Sequence, residues 1–503
     1  MTKKASKFPP KKPENTLFTA RVQRVWSAFQ KDIFRDIAQG LGHTVVVARA
    51  GSGKTSTIVE GFRYLPKGKK TLMVAFNKSI AEELKQRAPS YVDVMTLHSL
   101  GFRAIKQSFG ANVILENDKC QTIVGGLIGT DRDDWELNQN ICKCVSLCKG
   151  FLVDTPTRIG DLMDKFGIDI FELTREKFIE LVIKTLGICK SQKQVIDFDD
   201  MIWFPFVYRL NVGKFDVVFV DEAQDLNAAQ IAMVLSAVKM DGRIIAVGDP
   251  AQSIYQFRGA DSEAIPNFIL KLNAKTLPLS VSYRCPEKVI KLAQEIVPDI
   301  EAAPGAKDGI VEHVSSAELL KLVKPGDFVL SRTNAPLIRY CLALLKSGVP
   351  ANIQGRDIGA NLQYFIKKSK SKNINDFIVY VNSWREIEVK RLLSEKKDTT
   401  IAIDKAECLI NLCEGTLTIK DLKETIDSLF NDTDDTAKVM FSTTHKAKGL
   451  ERDRVFVLAN TYRYGPGVEG EEANLWYVAI TRSKGELYLV YKAPKVAPDN
   501  SAK

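Results

Sequence analysis

No apolar run in this 503-residue sequence approaches the roughly 20 residues that a membrane-crossing helix needs. The first residues, Met1 to Pro13, are polar and rich in Lys and Pro, and they lack the apolar stretch of a secretory signal. Residues 1–15 are expected to be a basic flexible arm, and 496–503 a flexible tail. Nine cysteines, an odd number, together with the missing signal, argue against a disulfide framework and for reduced thiols in a cytoplasmic setting. Cys142, Cys144 and Cys148 lie close together with Cys120 upstream, but the spacing matches no usual zinc or iron–sulfur pattern. Buried thiols on a helix are the simpler expectation, with no metal held by cysteine.

What is present is the composition of a globular chain, with 45% hydrophobic and 26% charged residues. The length suggests roughly three or four domains and more than one core. A net charge of +10 suits a polyanionic partner without deciding for one.

The most informative stretch is Ala48-Arg49-Ala50-Gly51-Ser52-Gly53-Lys54-Thr55, which follows the β-branched run Thr44-Val45-Val46-Val47 and precedes a helical pattern from Ser56. A buried strand, a Gly-rich turn, Lys-Thr and a helix are the parts of a phosphate cradle. Glycines let successive backbone N–H groups point at one anion, and the helix start adds its positive dipole end. Lys54 would neutralise the β- and γ-phosphates, and the Thr55 hydroxyl would ligate Mg²⁺. The general pattern opens with Gly, where this chain has Ala48.

Upstream, Gln30 sits on a helix that ends near Gly40; its carboxamide offers adenine both a donor and an acceptor. Downstream, Lys70 to Phe76 and Val94 to Thr96 read as strands. Asn77, Lys78, Thr96 and His98 then fall at carboxyl ends of parallel strands, the edge where open α/β sheets bind ligands; turn and cap roles are the alternative. Residues 101–194 have helical periodicity and no nameable chemistry. The carboxylates of Asp197, Asp199 and Asp200 either cap a helix or face a cleft, capping being the simpler. The apolar strand Val217-Val218-Phe219-Val220 delivers Asp221-Glu222-Ala223-Gln224-Asp225 at its end. Asp221 would hold Mg²⁺, and Glu222 would orient and deprotonate the attacking water. After Ile244-Ile245-Ala246-Val247 comes Gly248 to Ala260, with Gln252 placed to sense a γ-phosphate and with Tyr255, Phe257 and Arg258 as a base-stacking loop. Buried rings under a loop are the alternative.

With these segments in order, the chain resembles superfamily 1 DNA helicases of the UvrD/Rep/PcrA type. The second half extends the resemblance through Tyr283-Arg284-Cys285-Pro286, Ser331-Arg332-Thr333-Asn334, Thr444-His445-Lys446-Ala447-Lys448-Gly449-Leu450-Glu451 and Tyr477-Val478-Ala479-Ile480-Thr481-Arg482. The resemblance implies an α/β fold of two RecA-like motor domains with parallel sheets flanked by helices. The first would span 16–100 and 195–277, with 101–194 as a helical insertion. The second would span 278–364 and 436–495, with 365–435 as a small helical insertion in place of the long one of larger relatives. No room is expected for a C-terminal nuclease domain. The resemblance also implies that Tyr283 stacks on adenine, Arg284 reaches the γ-phosphate, Glu451 meets the ribose or links ATP to DNA, and Arg482 is the arginine finger. Thr444 and His445 would lie near the DNA backbone. The nucleotide would be held by Gln30, Ala50, Gly51, Ser52, Gly53, Lys54, Thr55, Ser56, Tyr283 and Glu451. The expected activity is ATP- and Mg²⁺-dependent movement 3′ to 5′ on single-stranded DNA, with strand separation on tailed duplexes in replication, repair or recombination. An ATP-gated DNA-binding subunit of a nuclease, repair or defence complex is the alternative, and an RNA motor a weaker one.

Overall fold

The computed structural model describes residues 25–129, 135–255, 259, 264–395, 397–432 and 435–492. Two parallel sheets organise them. The first has six strands in the order Val92–Thr96, Thr71–Ala75, Phe215–Val220, Val238–Gly248, Thr44–Ala48 and Lys275–Leu279. The second has seven, in the order Ile310–Ser315, Ser483–Tyr491, Arg452–Leu458, Phe328–Ser331, Val439–Thr443, Ala351–Gln354 and Phe430–Asn431.

Both sheets are covered on both faces, which explains why their strands read as unbroken apolar runs. Side chains alternate across a strand. Val45, Val74, Val218 and Ile244 therefore enter one core of the first sheet, and Val46, Met73, Phe219 and Ile245 enter the other. In the second sheet, Val329, Phe441 and Phe456 face one core and Phe328, Met440 and Val455 the other.

The segment from Ile105 to Phe204 builds its own helical core, into which Cys120, Cys142, Cys144, Cys148 and Cys189 are packed. All nine cysteines are free and buried, and among the described residues no group of His, Cys, Asp and Glu is placed to hold a metal ion. No described helix is long and apolar enough to cross a membrane.

The stretch expected as a small insertion, 365–435, packs differently. Its helices Ile374–Ser394, Thr400–Cys413 and Ile419–Leu429 place Phe377, Val381, Leu409, Leu412 and Ile426 in the same core as Val329, Ile353 and Phe441 of the second sheet. Phe430–Asn431 is itself an edge strand of that sheet, parallel to Ala351–Gln354. Helical periodicity marks a buried face but does not say which neighbour covers it, so this covering layer reads as an insertion in the sequence.

The Asp197–Asp200 turn binds the helical segment to the first domain. Asp200 N–H donates to the Asp197 carboxylate at 2.8 Å and Asp197 N–H donates to that of Asp200 at 3.1 Å. The same carboxylates take Lys149 Nζ at 2.6 and 2.8 Å, and Asp200 also takes Lys119 Nζ at 2.6 Å. Both lysine side chains are 1% exposed. The pairs tie the helices Lys119–Ile128 and Trp135–Phe151 to the start of Asp200–Val207. Removing one partner of a buried pair leaves the other charge uncompensated. Lys149→Met is therefore expected to destabilise the fold by about 3–5 kcal/mol, read as an earlier loss of Trp203 fluorescence on denaturation; a shift below about 1 kcal/mol would count against this role.

Candidate functional site

The phosphate loop lies between the strand Thr44–Ala48 and the helix Lys54–Gly61. Gly51 and Gly53 turn it with φ of 73° and 79°, conformations that favour glycine. Space matters too, since a Cβ on Gly51 would lie 2.5 Å from Arg284 Cβ and 2.6 Å from Ser282 Oγ. The Tyr283 N–H donates to the Gly51 carbonyl at 2.9 Å. The loop of the first domain is thus pressed against the Tyr283-Arg284 segment that leads into the second.

Between the domains is a cavity of about 930 Å³. From the first domain its wall includes Gly51, Ser52, Gly53, Lys54, Thr55, Ser56, Asp221, Glu222 and Gln252. From the second it includes Tyr283, Arg284, Lys448, Glu451 and Arg482. The Ser52 hydroxyl is buried with no hydrogen-bond partner among the described residues, an orphaned donor of the kind a phosphate oxygen satisfies.

Charge is concentrated here. Lys54 Nζ donates to Glu222 Oε2 at 2.9 Å. Burial opposes its charge, but Glu222, Asp221 and Asp249 outweigh that and raise its pKa. Burial and the adjacent Glu222 charge push the Asp221 carboxyl up, with Lys54 pulling the other way. Burial acts on Glu222 in the same sense, yet Lys54, Lys448 and the Gln224 amide hold it well below the usual carboxylate range. Glu222 occupies the left-handed region at φ 50°, a conformation unfavourable for a side chain with a Cβ.

A cation fits beside Asp221. Its carboxyl is buried, among the described residues Oδ1 accepts only the neighbouring Glu222 N–H at 3.0 Å, and Thr55 lies on the same wall. Mg²⁺ characteristically takes one or two protein oxygens and completes its shell with water and phosphate.

The second domain brings cations. Lys448 Nζ reaches across to Asp225 Oδ2 and to the Gln252 carbonyl, both at 2.6 Å. Burial raises the Asp225 carboxyl to about 6 against the pull of Lys448. Arg284 is paired with Glu451. Arg482 is 1% exposed and its guanidinium donates to the carbonyls of Val478 at 2.9 Å and Leu450 at 3.4 Å. Burial and the neighbouring Arg284 charge lower its pKa to about 10. Both guanidinium-bearing residues border the cavity.

Several residues of the cleft carry no signal in isolation. Arg49 makes a bidentate pair with Asp299 at 2.8 and 2.9 Å and touches Asp249 at 3.3 Å. The Tyr477 hydroxyl accepts the Ala50 N–H at 3.0 Å and donates to Asp249 at 3.3 Å. The Gln224 amide donates to Glu222 at 2.6 Å and accepts the Asp249 N–H at 3.0 Å. Each position falls inside a quoted motif or beside one, but apart from the Gln224–Glu222 bond its partners lie 25 or more positions away.

Gln30 does not join the cavity wall. Its amide oxygen accepts the Ser27 N–H at 3.0 Å and its amide nitrogen donates to Thr57 Oγ1 at 2.9 Å, with the residue 1% exposed. Gln252 lies on the wall, and its amide donates to Asp249 at 2.7 Å.

Of the residues expected to touch DNA, Asn77 and Tyr255 also line the cavity. Asn77 caps the helix Lys78–Arg87, and Thr96 caps Leu97–Phe109. Their two strands are paired with Ala75 opposite Thr96, so Phe76-Asn77 and Leu97-His98 leave the sheet side by side. Lys78 is exposed, 3.8 Å from Glu82. Tyr255 stacks on Phe76 at 6.3 Å, and its hydroxyl donates to the His445 carbonyl at 3.0 Å. Thr444 is buried and bonded to the Tyr462 hydroxyl. Phe257 and Arg258 lie outside the described residues. The exposed ring of Phe198 stacks on His98 at 4.0 Å, a contact that a run of acidic residues around Phe198 did not announce. Burial lowers the His98 pKa to about 4.

The sequence profile of the UvrD/REP helicase N-terminal domain matches residues 29–273, and that of the UvrD-like helicase C-terminal domain matches 343–493. Among curated proteins, F-box DNA helicase protein 1 of Schizosaccharomyces pombe is 28% identical over 88% of this chain and 55% of its own length. ATP-dependent DNA helicase PcrA of Bacillus subtilis is 26% identical over 51% of this chain and 37% of its own length. ATP-dependent DNA helicase Rep of Buchnera aphidicola is 25% identical over 62% and 55%. The chain thus spans about half the length, or less, of these relatives.

A neutral His98 has a consequence for pH. Its folded pKa lies below the unfolded 6.5, so the unfolded chain binds the extra proton first and this residue's contribution to stability falls as pH drops from about 6.5 toward 4. The His98 ring signal in an NMR titration is expected to stay that of a neutral imidazole down to pH 5. A midpoint near 6.5 would show that the Phe198 stack does not exclude water.

Proposed function

This chain belongs to the UvrD/Rep helicase family, and we propose that it is an ATP-driven DNA helicase that moves 3′ to 5′ on single-stranded DNA. The observation that carries the reading is the cavity itself, where a phosphate loop and an Asp-Glu pair from one sheet face Arg284, Lys448 and Arg482 from the other. ATP is the substrate that this arrangement suits. Backbone N–H groups of Gly51 and of Gly53 to Ser56 and the Lys54 ammonium receive the phosphates, while the Ala50 N–H is bonded to the Tyr477 hydroxyl, and Arg284 and Arg482 receive the γ-phosphate from the opposite side. Thr55 and Asp221 would hold Mg²⁺, which when bound neutralises phosphate charge.

Water attacks the γ-phosphorus while the bond to the β–γ bridging oxygen breaks, giving ADP and phosphate. Glu222 orients that water. Lys54 donates to the Glu222 carboxylate and helps to keep it ionised. Once Lys54 turns to the phosphates, Glu222 loses that partner and becomes a better proton acceptor. The proton then passes to solvent.

Coupling follows from where the cations are mounted. Charge-assisted contacts to the γ-phosphate draw the second domain toward the first, and hydrolysis releases it. Phe76, Tyr255, His98 and Phe198 supply aromatic faces near the strand ends on which bases stack in turn. Replication, repair or recombination is the setting proposed for this activity.

A second reading, an ATP-gated binding subunit, is favoured by the packing of 365–435 into the second domain's core rather than as a separate lobe. Strand displacement decides between them. The purified chain is expected to unwind a 3′-tailed duplex and not a 5′-tailed one, with DNA-stimulated ATP hydrolysis. Lys54→Ala is expected to lower hydrolysis by about 10³-fold or more while leaving single-strand binding intact. ATP hydrolysis indifferent to added oligonucleotide would refute the motor, and stimulated hydrolysis without unwinding would favour the subunit.

A further inference from the structure

Arg482 has to meet a γ-phosphate held by the other domain, and its place is set by the helix Glu471–Ile480 that leads to it. That helix is anchored in the first domain through Tyr477. The Tyr477 side chain is fully buried, and its hydroxyl makes two bonds across the boundary. It accepts the Ala50 N–H at 3.0 Å and donates to Asp249 Oδ2 at 3.3 Å. Burial and the Asp249 charge raise the Tyr477 pKa, so the hydroxyl keeps the proton that it donates.

Asp249 is the node on the other side. Its Oδ2 also takes the Gln252 amide at 2.7 Å, and its Oδ1 takes Arg49 at 3.3 Å. Its N–H donates to the Gln224 amide, whose nitrogen donates to Glu222. One phenol thus touches the start of the phosphate loop and the carboxylate on which Gln252 rests. On its own helix, Tyr477 sits in the turn that fixes Arg482. Thr481 donates to the Tyr477 carbonyl through its N–H at 3.1 Å and its Oγ1 at 2.7 Å. The Arg482 guanidinium donates to that same Oγ1 at 3.4 Å. Cys285 Sγ, beside Arg284 in the chain, donates to the Thr481 carbonyl at 3.6 Å.

We propose that Tyr477 is a positioning residue for ATP hydrolysis, its hydroxyl locking the helix end that carries Arg482 onto the phosphate loop and Asp249. This role presupposes the ATPase reading above and adds a residue to it. Phenylalanine would keep the ring, leaving the Ala50 N–H without its acceptor and Asp249 without a donor. The helix end is then free to settle elsewhere, and misplacement of a reacting group by about 1 Å can lower a rate about 100-fold.

The test is steady-state phosphate release by the full chain with single-stranded DNA. Tyr477→Phe is expected to lower kcat by about 10- to 100-fold with KM for ATP within about threefold of wild type. A smaller fall in kcat overturns the proposal, however far the melting temperature drops, and so does a rise in KM alone. Asp249→Asn keeps the phenol and weakens its acceptor, so it is expected to fall in the same way. The double variant is expected within about threefold of the worse single one, and effects that multiply overturn the proposal. Asn474→Ala removes another bond across the same boundary, to the Ser253 carbonyl at 2.9 Å. It is expected to leave kcat within about threefold, and a loss as large as that of Tyr477→Phe would show general loosening instead of positioning. Binding of ADP with and without beryllium fluoride, a γ-phosphate mimic, separates the two readings. Wild type is expected to bind ADP more tightly with the mimic, and Tyr477→Phe to lose that gain while holding ADP alone normally. Such a gain without hydrolysis by wild type would reject the motor and uphold the positioning. A gain that survives Tyr477→Phe would reject the positioning whatever the rate.

Discussion

Buried charge has to be balanced, and in this protein it is balanced across a domain boundary. Asp221, Glu222, Asp225 and Asp249 are all carried by the first domain at the ends of two adjacent strands. Lys54 answers part of that charge from within the domain, and Lys448 answers Asp225 from the other side. Leaving such groups unpaired in a low-dielectric cleft would cost several kcal/mol each. The two sheets are therefore held together by the same groups that a triphosphate would engage.

The rest of the seam repeats this logic with weaker bonds. Arg49 leaves the phosphate loop for Asp299, the Ala50 N–H is capped by Tyr477, and Asn474 donates to the Ser253 carbonyl at 2.9 Å. Each contact starts in or beside a segment that lines the nucleotide cavity. Any shift of the second domain must rearrange the phosphate loop's surroundings, and in the proposed motor this is the route from chemistry in the cleft to groups such as Tyr255, bonded to the His445 carbonyl. Arg482 is the exception that gives the site its bias. It is buried among carbonyls, with another guanidinium as its charged neighbour, so an anion entering the cavity relieves a repulsion as well as gaining a bond.

The helical layers carry the architecture away from the cleft. The 105–204 core is tied down by Lys119 and Lys149 on the Asp197–Asp200 turn, where the carboxylates face lysines and not the nucleotide. The acidic run left a cleft position open beside the simpler capping role, because the lysines that these carboxylates meet lie 48 and 81 positions away. The 365–435 helices illustrate the same point for packing. Their periodicity is plain in the sequence, but the surface that they cover is the second sheet, a pairing of faces that no local pattern encodes.

Local chemistry was legible because it is local. The apolar runs dictate buried parallel strands, the Gly-Ser-Gly turn needs positive φ at Gly51 and Gly53, and an Asp-Glu pair at a strand end needs only its own strand. Partnership was not legible. Gln30 has the right chemistry for a base, yet its i, i+3 relation to Ser27 and a hydroxyl on the next helix capture its amide first. Phe198 carried no reading of its own within the acidic run, and it is exposed and stacked on His98. The sequence by itself determined buried strands and a phosphate loop, since backbone conformation and strand burial follow from neighbouring residues, and the pair of α/β domains was implied by the family resemblance. Only the tertiary structure decided which charges meet across the cleft, because a pair such as Lys448 and Asp225, 223 residues apart, exists only once both sheets have folded and docked.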